Sequence, residues 1–267
     1  LRSMLISLFF TKDGIFELKK AYQIEQFERT KHLERNKELF NNEFDKLRNI
    51  PTIYKYLDQL QSKKSLGLSQ DFVFFKTHSG LFNIGENPFT TKENSRGIIY
   101  LVRDPRDVSL SWSRHSGISI DESIKYMTND LANLYWQEPS SSPNVFNDYN
   151  RPRSLLSSWE KHVLSWTNIK WDIPILVIKF EDIVYDKINI LNKIINFFET
   201  NYDLKFDNKE EKVDNIIKTT EFKKLQTQEK ESGFLEATKN SRFFSVGQKD
   251  QWKISLSEDQ IKLIEKK

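Results

Sequence analysis

The sequence predicts an α/β fold in which a central parallel sheet is flanked by helices on both faces. Short segments rich in β-branched and apolar residues, 98–102 and 173–180 among them, have the composition of buried strands. Amphipathic segments of helical periodicity separate these strands along the chain. Strands that alternate with helices are typical of parallel sheets, because a parallel neighbour is reached through a crossover.

Each predicted element depends on a local pattern. The strand over 97–103 ends at a helix start, because Asp104 is a good N-cap and Pro105 a good first helical residue. Pro174 stands at the start of the strand 173–180, where a missing N–H is tolerated. The other predicted elements are a helix over 1–10, a charged helical stretch over 15–49, a helix over 54–60, a strand over 72–77, helices over 121–134, 155–169 and 188–198, a surface loop over 137–153, an irregular stretch over 229–252 and a last helix from Ser257.

Length and composition favour one large domain over residues 1–267. Apolar residues make up 37% of the chain and aromatic residues 13%, which allows a packed core despite 30% charged residues. We find no internal repeat and no linker. The first ten residues begin a helical pattern without an N-cap, and the last seven stop inside one, so we expect both ends to be trimmed.

Charge and cysteine content exclude several classes of protein. The chain has 41 Lys and Arg against 38 Asp and Glu, and a net charge of +3 is too small to predict a nucleic-acid partner. No apolar run is long enough to predict a membrane span, and no signal peptide is visible. The absence of cysteine excludes disulfides and Cys-ligated zinc and favours a cytoplasmic location.

The segment around Arg103 predicts an anion site. Arg103 ends a strand and precedes a helix N-terminus, and ligands bind at the carboxyl ends of strands in open α/β sheets. Helix N-termini favour anions, and a guanidinium holds phosphate with two hydrogen bonds. Ser111, eight residues on, adds a hydroxyl donor. The alternative is that Arg103 only caps the sheet or pairs with Asp104 or Asp107.

A second candidate site follows the predicted strand 72–77. His78 ends it, and in a parallel sheet this places His78 at the same carboxyl edge as Arg103. A neutral imidazole, with an ordinary pKa of about 6.5, suits proton abstraction near neutrality. Lys76 lies two residues earlier and hence on the same strand face. The alternatives are a structural histidine and a solvated lysine, and we interpret His162 as structural.

Two of these segments resemble a known family. Arg-Asp-Pro-Arg-Asp-Val-Ser-Leu-Ser at 103–111 resembles the 3′-phosphate-binding segment of sulfotransferases that use 3′-phosphoadenosine-5′-phosphosulfate (PAPS). The resemblance implies a three-layer fold similar to that of P-loop NTPases, with Arg103 and Ser111 on the 3′-phosphate. Lys-Thr-His at 76–78 resembles the segment of the catalytic base. It implies that His78 deprotonates the acceptor and that Lys76 stabilises developing charge.

Two further segments resemble the nucleotide site of that family. Residues 241–253 resemble its C-terminal loop, in which Arg-Lys-Gly precedes Gly-Asp-Trp-Lys, but Ser245 and Val246 stand where the family has Arg and Lys. Arg242 or Lys249 is a candidate to compensate. A surface loop with an aromatic anchor is the alternative. The nucleotide residues implied by the resemblance, including the adenine-side pair of the Thr-Thr-Glu-Phe segment, are Thr220, Phe222, Phe243, Phe244, Ser245 and Gly247.

The resemblance implies transfer of a sulfuryl group from PAPS to a hydroxyl or amine of a small-molecule acceptor. Adenosine 3′,5′-bisphosphate (PAP) is then the product, no metal is needed, and a homodimer is possible. We expect the loop that binds the 5′-phosphosulfate to lie upstream of residue 1. The alternatives are a small-molecule kinase with a P-loop and a non-catalytic nucleotide-binding protein of the same fold. Aromatic candidates for the acceptor pocket are Phe82, Phe89, Tyr135, Trp136 and Phe146.

Overall fold

The computed structural model describes residues 1–29, 31–67, 73–134, 152–234, 236–238 and 240–266. The chain forms two compact units. Unit 1 contains Leu1–Ile24, Ile99–Lys125 and Ile175–Lys267, and unit 2 contains Glu25–Ile98 and Tyr126–Pro174. Most of the predicted loop 137–153 and the aromatic candidates Tyr135, Trp136 and Phe146 lie outside the described residues.

Helices dominate the described residues, and the strands are short. The α-helices are α1 (Arg2–Phe10), α2 (Lys31–Arg35), α3 (Ile50–Leu60), α4 (Lys63–Leu66), α5 (Pro105–Ser116), α6 (Ile120–Met127), α7 (Trp159–Thr167), α8 (Phe180–Tyr185), α9 (Lys187–Tyr202), α10 (Lys209–Thr219), α11 (Phe222–Ser232), α12 (Trp252–Ser255) and α13 (Glu258–Glu265). The strands are β1 (Asn83–Ile84), β2 (Asn87–Pro88), β3 (Ile98–Val102), β4 (Asn133–Leu134), β5 (Ser154–Leu155) and β6 (Ile175–Lys179). Short 3₁₀ helices cover Leu18–Gln23, Phe27–Arg29 and Lys37–Lys46.

The sheet of unit 1 is the parallel pair β3–β6. The helices α8 and α9 contact β6. The core side of α9 carries Ile190, Leu191 and Ile194, each at most 3% exposed. Burial of one such side chain contributes about 1.5–3 kcal/mol to the free energy of unfolding. Phe198 extends this core, because its ring meets Phe9 of α1 edge-on at 4.6 Å between centroids. The α/β class with a parallel sheet flanked by helices is therefore confirmed.

Helix α5 of unit 1 begins where the sequence predicts. The Asp104 side chain accepts the backbone N–H of Arg106 at 2.9 Å, and Pro105 is the first helical residue. The helix ends at Gly117, whose φ of 68° lies in the left-handed region that glycine adopts without strain. The last predicted helix is also confirmed, because Ser257 and Gln260 form a capping box at the start of α13.

Unit 2 is built around helix α3. Asn49 caps it by accepting the N–H of Thr52 at 3.0 Å, and Pro51 lies in its first turn. Its buried face includes Ile53 and Tyr54, both 1% exposed, and it contacts the hairpin β1–β2. The hairpin pairs antiparallel, with Asn83 opposite Pro88.

Three of the predicted helical segments differ from the structure. The helical stretch over 15–49 is broken into 3₁₀ turns and the short α2, because Asn41 has a φ of 48° and residues near Gln26 pair with Lys76 instead. The helix over 121–134 ends at Met127, after which β4 pairs antiparallel with β5. The helix over 155–169 begins only at Trp159, because Ser157 has a φ of 61°.

The predicted strand over 72–77 is not formed in its described part. Within 73–77 a single parallel ladder pair joins Lys76 to Gln26. The residues after this pair form side-chain hydrogen bonds in place of a strand ladder. The N–H of Ser79 donates to the Thr77 hydroxyl at 2.9 Å, and the hydroxyls of Thr77 and Ser79 both donate to Glu28. Within the described residues 73–78, the strand that the sequence predicts before His78 is therefore reduced to this one pair. Phe72 lies outside the described residues.

Along the described ranges of the chain, no helix is both long and apolar enough to cross a membrane.

Candidate functional site

Arg103 in unit 1 directly follows strand β3. Its Nη2 donates to the Gln248 carbonyl at 2.8 Å, and its guanidinium stacks on the Phe180 ring at 4.4 Å from the centroid. Its Nε atom is buried and has no hydrogen-bond partner. Burial lowers the pKa of the Arg103 guanidinium, and the charges of Asp107 and Glu181 partly oppose this. The side chain thus brings a partly desolvated cation to the end of the strand.

The ion pairs that the sequence left open for Arg103 are not made. The Asp104 carboxylate pairs with Arg106, with Nη2 at 2.7 Å from Oδ2. The Asp107 carboxylate accepts the backbone N–H groups of Asp250 at 2.8 Å and Trp252 at 3.1 Å. Within the part of the chain that the structure describes, Arg103 therefore has no carboxylate in direct contact. This favours the anion-site interpretation.

Ser111 lies on α5, four residues after Asp107 and so on the same helix face. The residue is half-buried. Among the described residues, its hydroxyl has no hydrogen-bond partner. A free hydroxyl on this face is consistent with the predicted donor role.

The C-terminal loop, residues 241–253, is held near both ends by buried carboxylates. Glu229 of α11 is 5% exposed and accepts the N–H groups of Phe243 at 2.6 Å and Phe244 at 2.9 Å. The Gln226 amide donates to the carbonyls of Phe244 at 2.9 Å and Ser245 at 3.0 Å. Asp107, 1% exposed, holds the other end. The path of the loop therefore depends on backbone groups and two acidic side chains.

The structure brings together Phe222 and Gly247, two of the residues predicted for the nucleotide site. Gly247 has a φ of 63°, and a Cβ atom there would lie 2.4 Å from the Phe222 ring. Phe244 also meets Phe222, at 6.1 Å between centroids. Only a glycine allows this close approach.

Thr220 is placed less favourably for the adenine contact that the resemblance implies. Its hydroxyl donates to the Ile216 carbonyl at 2.6 Å, and its carbonyl accepts from Lys187 Nζ at 2.7 Å. The residue is 4% exposed. Its role at adenine stays a prediction.

The backbone around His78 in unit 2 is held by helix α7. The His78 carbonyl accepts from His162 Nε2 at 3.0 Å, and the Ser79 carbonyl accepts from Trp166 Nε1 at 3.0 Å. The Ser165 hydroxyl accepts the N–H of Leu81 at 2.9 Å. Burial lowers the pKa of His162, although its bond to the His78 carbonyl opposes this. These contacts agree with the structural role predicted for His162.

Glu28 holds the same segment from the opposite side. Its Oε1 accepts hydroxyl bonds from Thr77 at 2.6 Å, Ser79 at 2.8 Å and Ser154 at 3.0 Å. The side chain is 4% exposed, and its Oε2 has no hydrogen-bond partner. The residues on both sides of His78 are thus tied to one buried oxygen. Lys76, two residues earlier, is fixed through its backbone, because its carbonyl accepts the N–H of Phe27 at 2.7 Å.

Sequence reasoning missed Glu28 and Glu229. Both are acidic residues among many on helical or charged stretches, and nothing local distinguishes a buried acid from a solvated one. The only signal for Glu28 is its place beside the apolar pair Ile24 and Phe27. In the described ranges, no group of three or more His, Asp or Glu side chains is placed to hold a metal ion.

Solved structures of similar fold include two complexes with PAP. Mouse sulfotransferase SULT7A1 complexed with PAP has a TM-score of 0.50 and 20% identity, covering 76% of this chain and 68% of that one. Retinol dehydratase in complex with androsterone and the inactive cofactor PAP has a TM-score of 0.54 and 16% identity, covering 99% of this chain and 74% of that one. These similarities show the fold.

Curated relatives align over about half of this chain. Sulfotransferase 1A1 of Bos taurus is 24% identical over 151 residues, which are 57% of this chain and 43% of that protein. Amine sulfotransferase of Oryctolagus cuniculus is 25% identical over 139 residues, 52% of this chain and 40% of that protein. The chain thus spans less than half the length of these relatives. The family model of the sulfotransferase domain, however, matches residues 10–267, and the chain therefore belongs to the sulfotransferase family.

Proposed function

We propose that this protein transfers a sulfuryl group from PAPS to a hydroxyl or amine of a small-molecule acceptor, without a metal. The observation that carries the proposal is the state of Arg103. Its guanidinium is half-buried at the end of β3, its Nε has no partner, and no carboxylate contacts it within the described residues. A partly desolvated cation with no carboxylate in direct contact favours an anionic ligand, and a phosphate oxygen satisfies a guanidinium well.

The residues of unit 1 fit a nucleotide that carries a 3′-phosphate. Arg103 and Ser111 offer the donors, and Phe222 beside Gly247 offers an aromatic face for the base. When bound, PAPS supplies the sulfuryl group and leaves as PAP. Ser245 and Val246 contribute no charge, which distinguishes this chain from the usual family pattern.

His78 is the proposed general base. An imidazole nitrogen of His78 takes the proton of the acceptor hydroxyl or amine as the acceptor atom bonds to sulfur and the bond from sulfur to the 5′-phosphate oxygen breaks. The electron pair of that broken bond stays on the phosphate oxygen, and the Lys76 ammonium stabilises the negative charge that develops there. Glu28 and α7 hold the backbone on which both side chains depend.

Several further points belong to the same proposal. We expect a single functional domain over residues 1–267 and a cytoplasmic location, which the lack of cysteine favours. A homodimer is possible. The acceptor class follows the names of similar proteins, one an amine sulfotransferase and one a structure with bound androsterone.

One observation favours a second candidate function, a non-catalytic nucleotide-binding protein of this fold. Ser245 and Val246 remove two cations from the C-terminal loop. Transfer assays separate the two candidates. The full-length protein is incubated with PAPS carrying labelled sulfate and with panels of phenols, aliphatic alcohols and amines. Labelled product with at least one acceptor supports the enzyme, whereas PAP binding without transfer to any panel member supports the second candidate.

A further inference from the structure

A second arginine lies on the nucleotide face of helix α5. Asp107, Ser111 and Arg114 are spaced by four and three residues, and such positions share one face of a helix. The carboxylate of Asp107 accepts two N–H groups of the C-terminal loop, so this face of α5 contacts that loop. Arg114 therefore lies further along α5 on the side where Ser111 and the loop are found.

Arg114 has an unusual electrostatic environment. It is half-buried, its Nε atom is fully buried without a hydrogen-bond partner, and it makes no ion pair within the described residues. Burial lowers the pKa of Arg114, and only Asp107 opposes this. The charge of Arg114 in turn contributes to the lowered pKa of Arg103. The guanidiniums of Arg103 and Arg114 therefore repel each other. The carboxylate that acts on both of them, that of Asp107, already accepts two N–H groups.

The chain after α11 is attached to α5 on both sides of positions 245 and 246, where the family has its two cations. The Thr238 hydroxyl donates to the His115 carbonyl at 2.9 Å, at the C-terminal end of α5. Asp250 and Trp252 bond to Asp107 near its N-terminal end. Residues 245–246 lie between these two attachments in the sequence, where the Ser245 carbonyl accepts from Gln226 and Gly247 packs against Phe222, both of α11.

Other nearby cations are less well placed to replace the lost pair. The Lys249 ammonium lies over the Tyr185 ring, 4.1 Å from its centroid. Arg242 is exposed. Arg106 is paired with both Asp104 at 2.7 Å and Glu265 at 2.8 Å. Arg114 alone in this group combines burial, an unpartnered Nε and a position on the Ser111 face.

We propose that Arg114 is a nucleotide-binding residue that contacts the 3′-phosphate together with Arg103 and supplies the charge that Ser245 and Val246 lack. The inference depends on the proposed use of a 3′-phosphorylated nucleotide. A phosphate bound by both guanidiniums compensates their two positive charges. Selectivity for the 3′-phosphate then depends on the single segment 103–114 rather than on that segment and the C-terminal loop together.

The test is a comparison of PAP with AMP, which lacks the 3′-phosphate, by calorimetric titration of the full-length protein. Arg114→Met keeps the length of the side chain and removes its charge. A hydrogen bond to a charged group contributes about 1.5–3 kcal/mol, so the variant should bind PAP about 10- to 100-fold more weakly. Its affinity for AMP should change by less than about twofold, because AMP never makes the contact. Arg114→Lys should lie between Arg114→Met and the wild type.

Two further variants separate this role from a merely structural one. Arg106→Met removes a paired cation of the same helix and should leave the ratio of PAP to AMP affinity unchanged. Ser245→Arg with Val246→Lys in the Arg114→Met background should restore that ratio. The thermal midpoint of Arg114→Met without ligand should not fall, because an unpaired, partly buried charge has been removed.

The outcomes distinguish the two proposals. If the wild type shows no preference for PAP over AMP, the proposed function is overturned, and this inference with it. If the wild type prefers PAP and Arg114→Met keeps the same ratio, the role of Arg114 is overturned while the proposed function stands.

Discussion

The two units hold their candidate functional segments by opposite means. In unit 2, Glu28 fixes the His78 segment through three side-chain hydroxyls, those of Thr77, Ser79 and Ser154. In unit 1, Glu229 and Asp107 fix the C-terminal loop through four backbone N–H groups. Backbone N–H groups are present whatever the side chains are, whereas hydroxyls require particular residues.

This difference explains where the chain departs from its family. The C-terminal loop can lose the usual Arg and Lys without changing its path, because Ser245 takes part in holding it only through its backbone carbonyl, and the side chains of Ser245 and Val246 take no part. The His78 segment has no such freedom. The comparison therefore predicts that side-chain changes are tolerated in the loop and damaging beside His78.

The largest expected effect is that of His78→Ala. Loss of the proposed general base should lower transfer about 10²- to 10⁴-fold, while PAP affinity should stay close to that of the wild type because the proposed nucleotide residues belong to unit 1. Labelled-sulfate transfer and PAP titration measure the two quantities. Retained turnover would show that the proton goes elsewhere.

The next effect sharpens the comparison by changing one acid in each unit. Glu28→Gln weakens the bonds from Thr77 and Ser79 and should lower kcat about tenfold with unchanged PAP affinity. Glu229→Gln weakens the bonds from Phe243 and Phe244 and should lower PAP affinity about tenfold instead. Glu210→Gln, on the exposed side of α10, is the matched control. If Glu28→Gln and Glu229→Gln changed kcat and PAP affinity by the same factors, the two units would not differ in the way proposed.

A smaller effect compares the attachment of the His78 segment through side-chain hydroxyls with the attachment of the C-terminal loop through backbone groups. Thr77→Val keeps the shape of the side chain but leaves Glu28 with one donor fewer, and we expect kcat to fall severalfold. Gln248→Ala removes a loop side chain while keeping the carbonyl that accepts from Arg103, and we expect a change of less than about twofold. Steady-state kinetics on the two variants measure this, and a larger loss in Gln248→Ala would reverse the comparison.

The smallest expected effect is a pH dependence of unit 2. Burial lowers the pKa values of His32 and His162 in the folded protein. The unfolded chain, with an ordinary histidine pKa of about 6.5, then binds more protons, so stability falls as pH drops below about 6.5. Thermal unfolding at pH 7.5 and pH 5.5 measures the loss, and His162→Gln should reduce it. An unfolding midpoint that rises toward pH 5.5 would contradict this account.

Short-range sequence patterns predicted the elements whose bounds are set by residues only a few positions apart. Strand β3, the capped start of α5 and the last helix follow from apolar runs and capping residues within a few positions. The strand expected before His78 was wrong in its described part, because the bonds that replace it come from Glu28, forty-nine residues before Thr77 in the sequence. Contacts of that range leave no periodic signal.

The candidate site was predictable to the same extent. Arg103 and Ser111 lie in one short, recognisable segment, and Phe222 and Gly247 lie in two others, although the contact between these last two was not predicted. Arg114 was passed over because nothing in the helical pattern separates it from a solvated arginine. Its burial and its missing partner are visible only once the chain is folded around α5.

The central claim is that unit 1 holds a nucleotide through its 3′-phosphate, and calorimetric titration of the full-length protein with PAP, AMP and ATP tests it most directly. The account predicts that PAP binds at least about tenfold more tightly than AMP, as one charged hydrogen-bond contact requires. Equal affinity for PAP and AMP, or tighter binding of ATP, would contradict it.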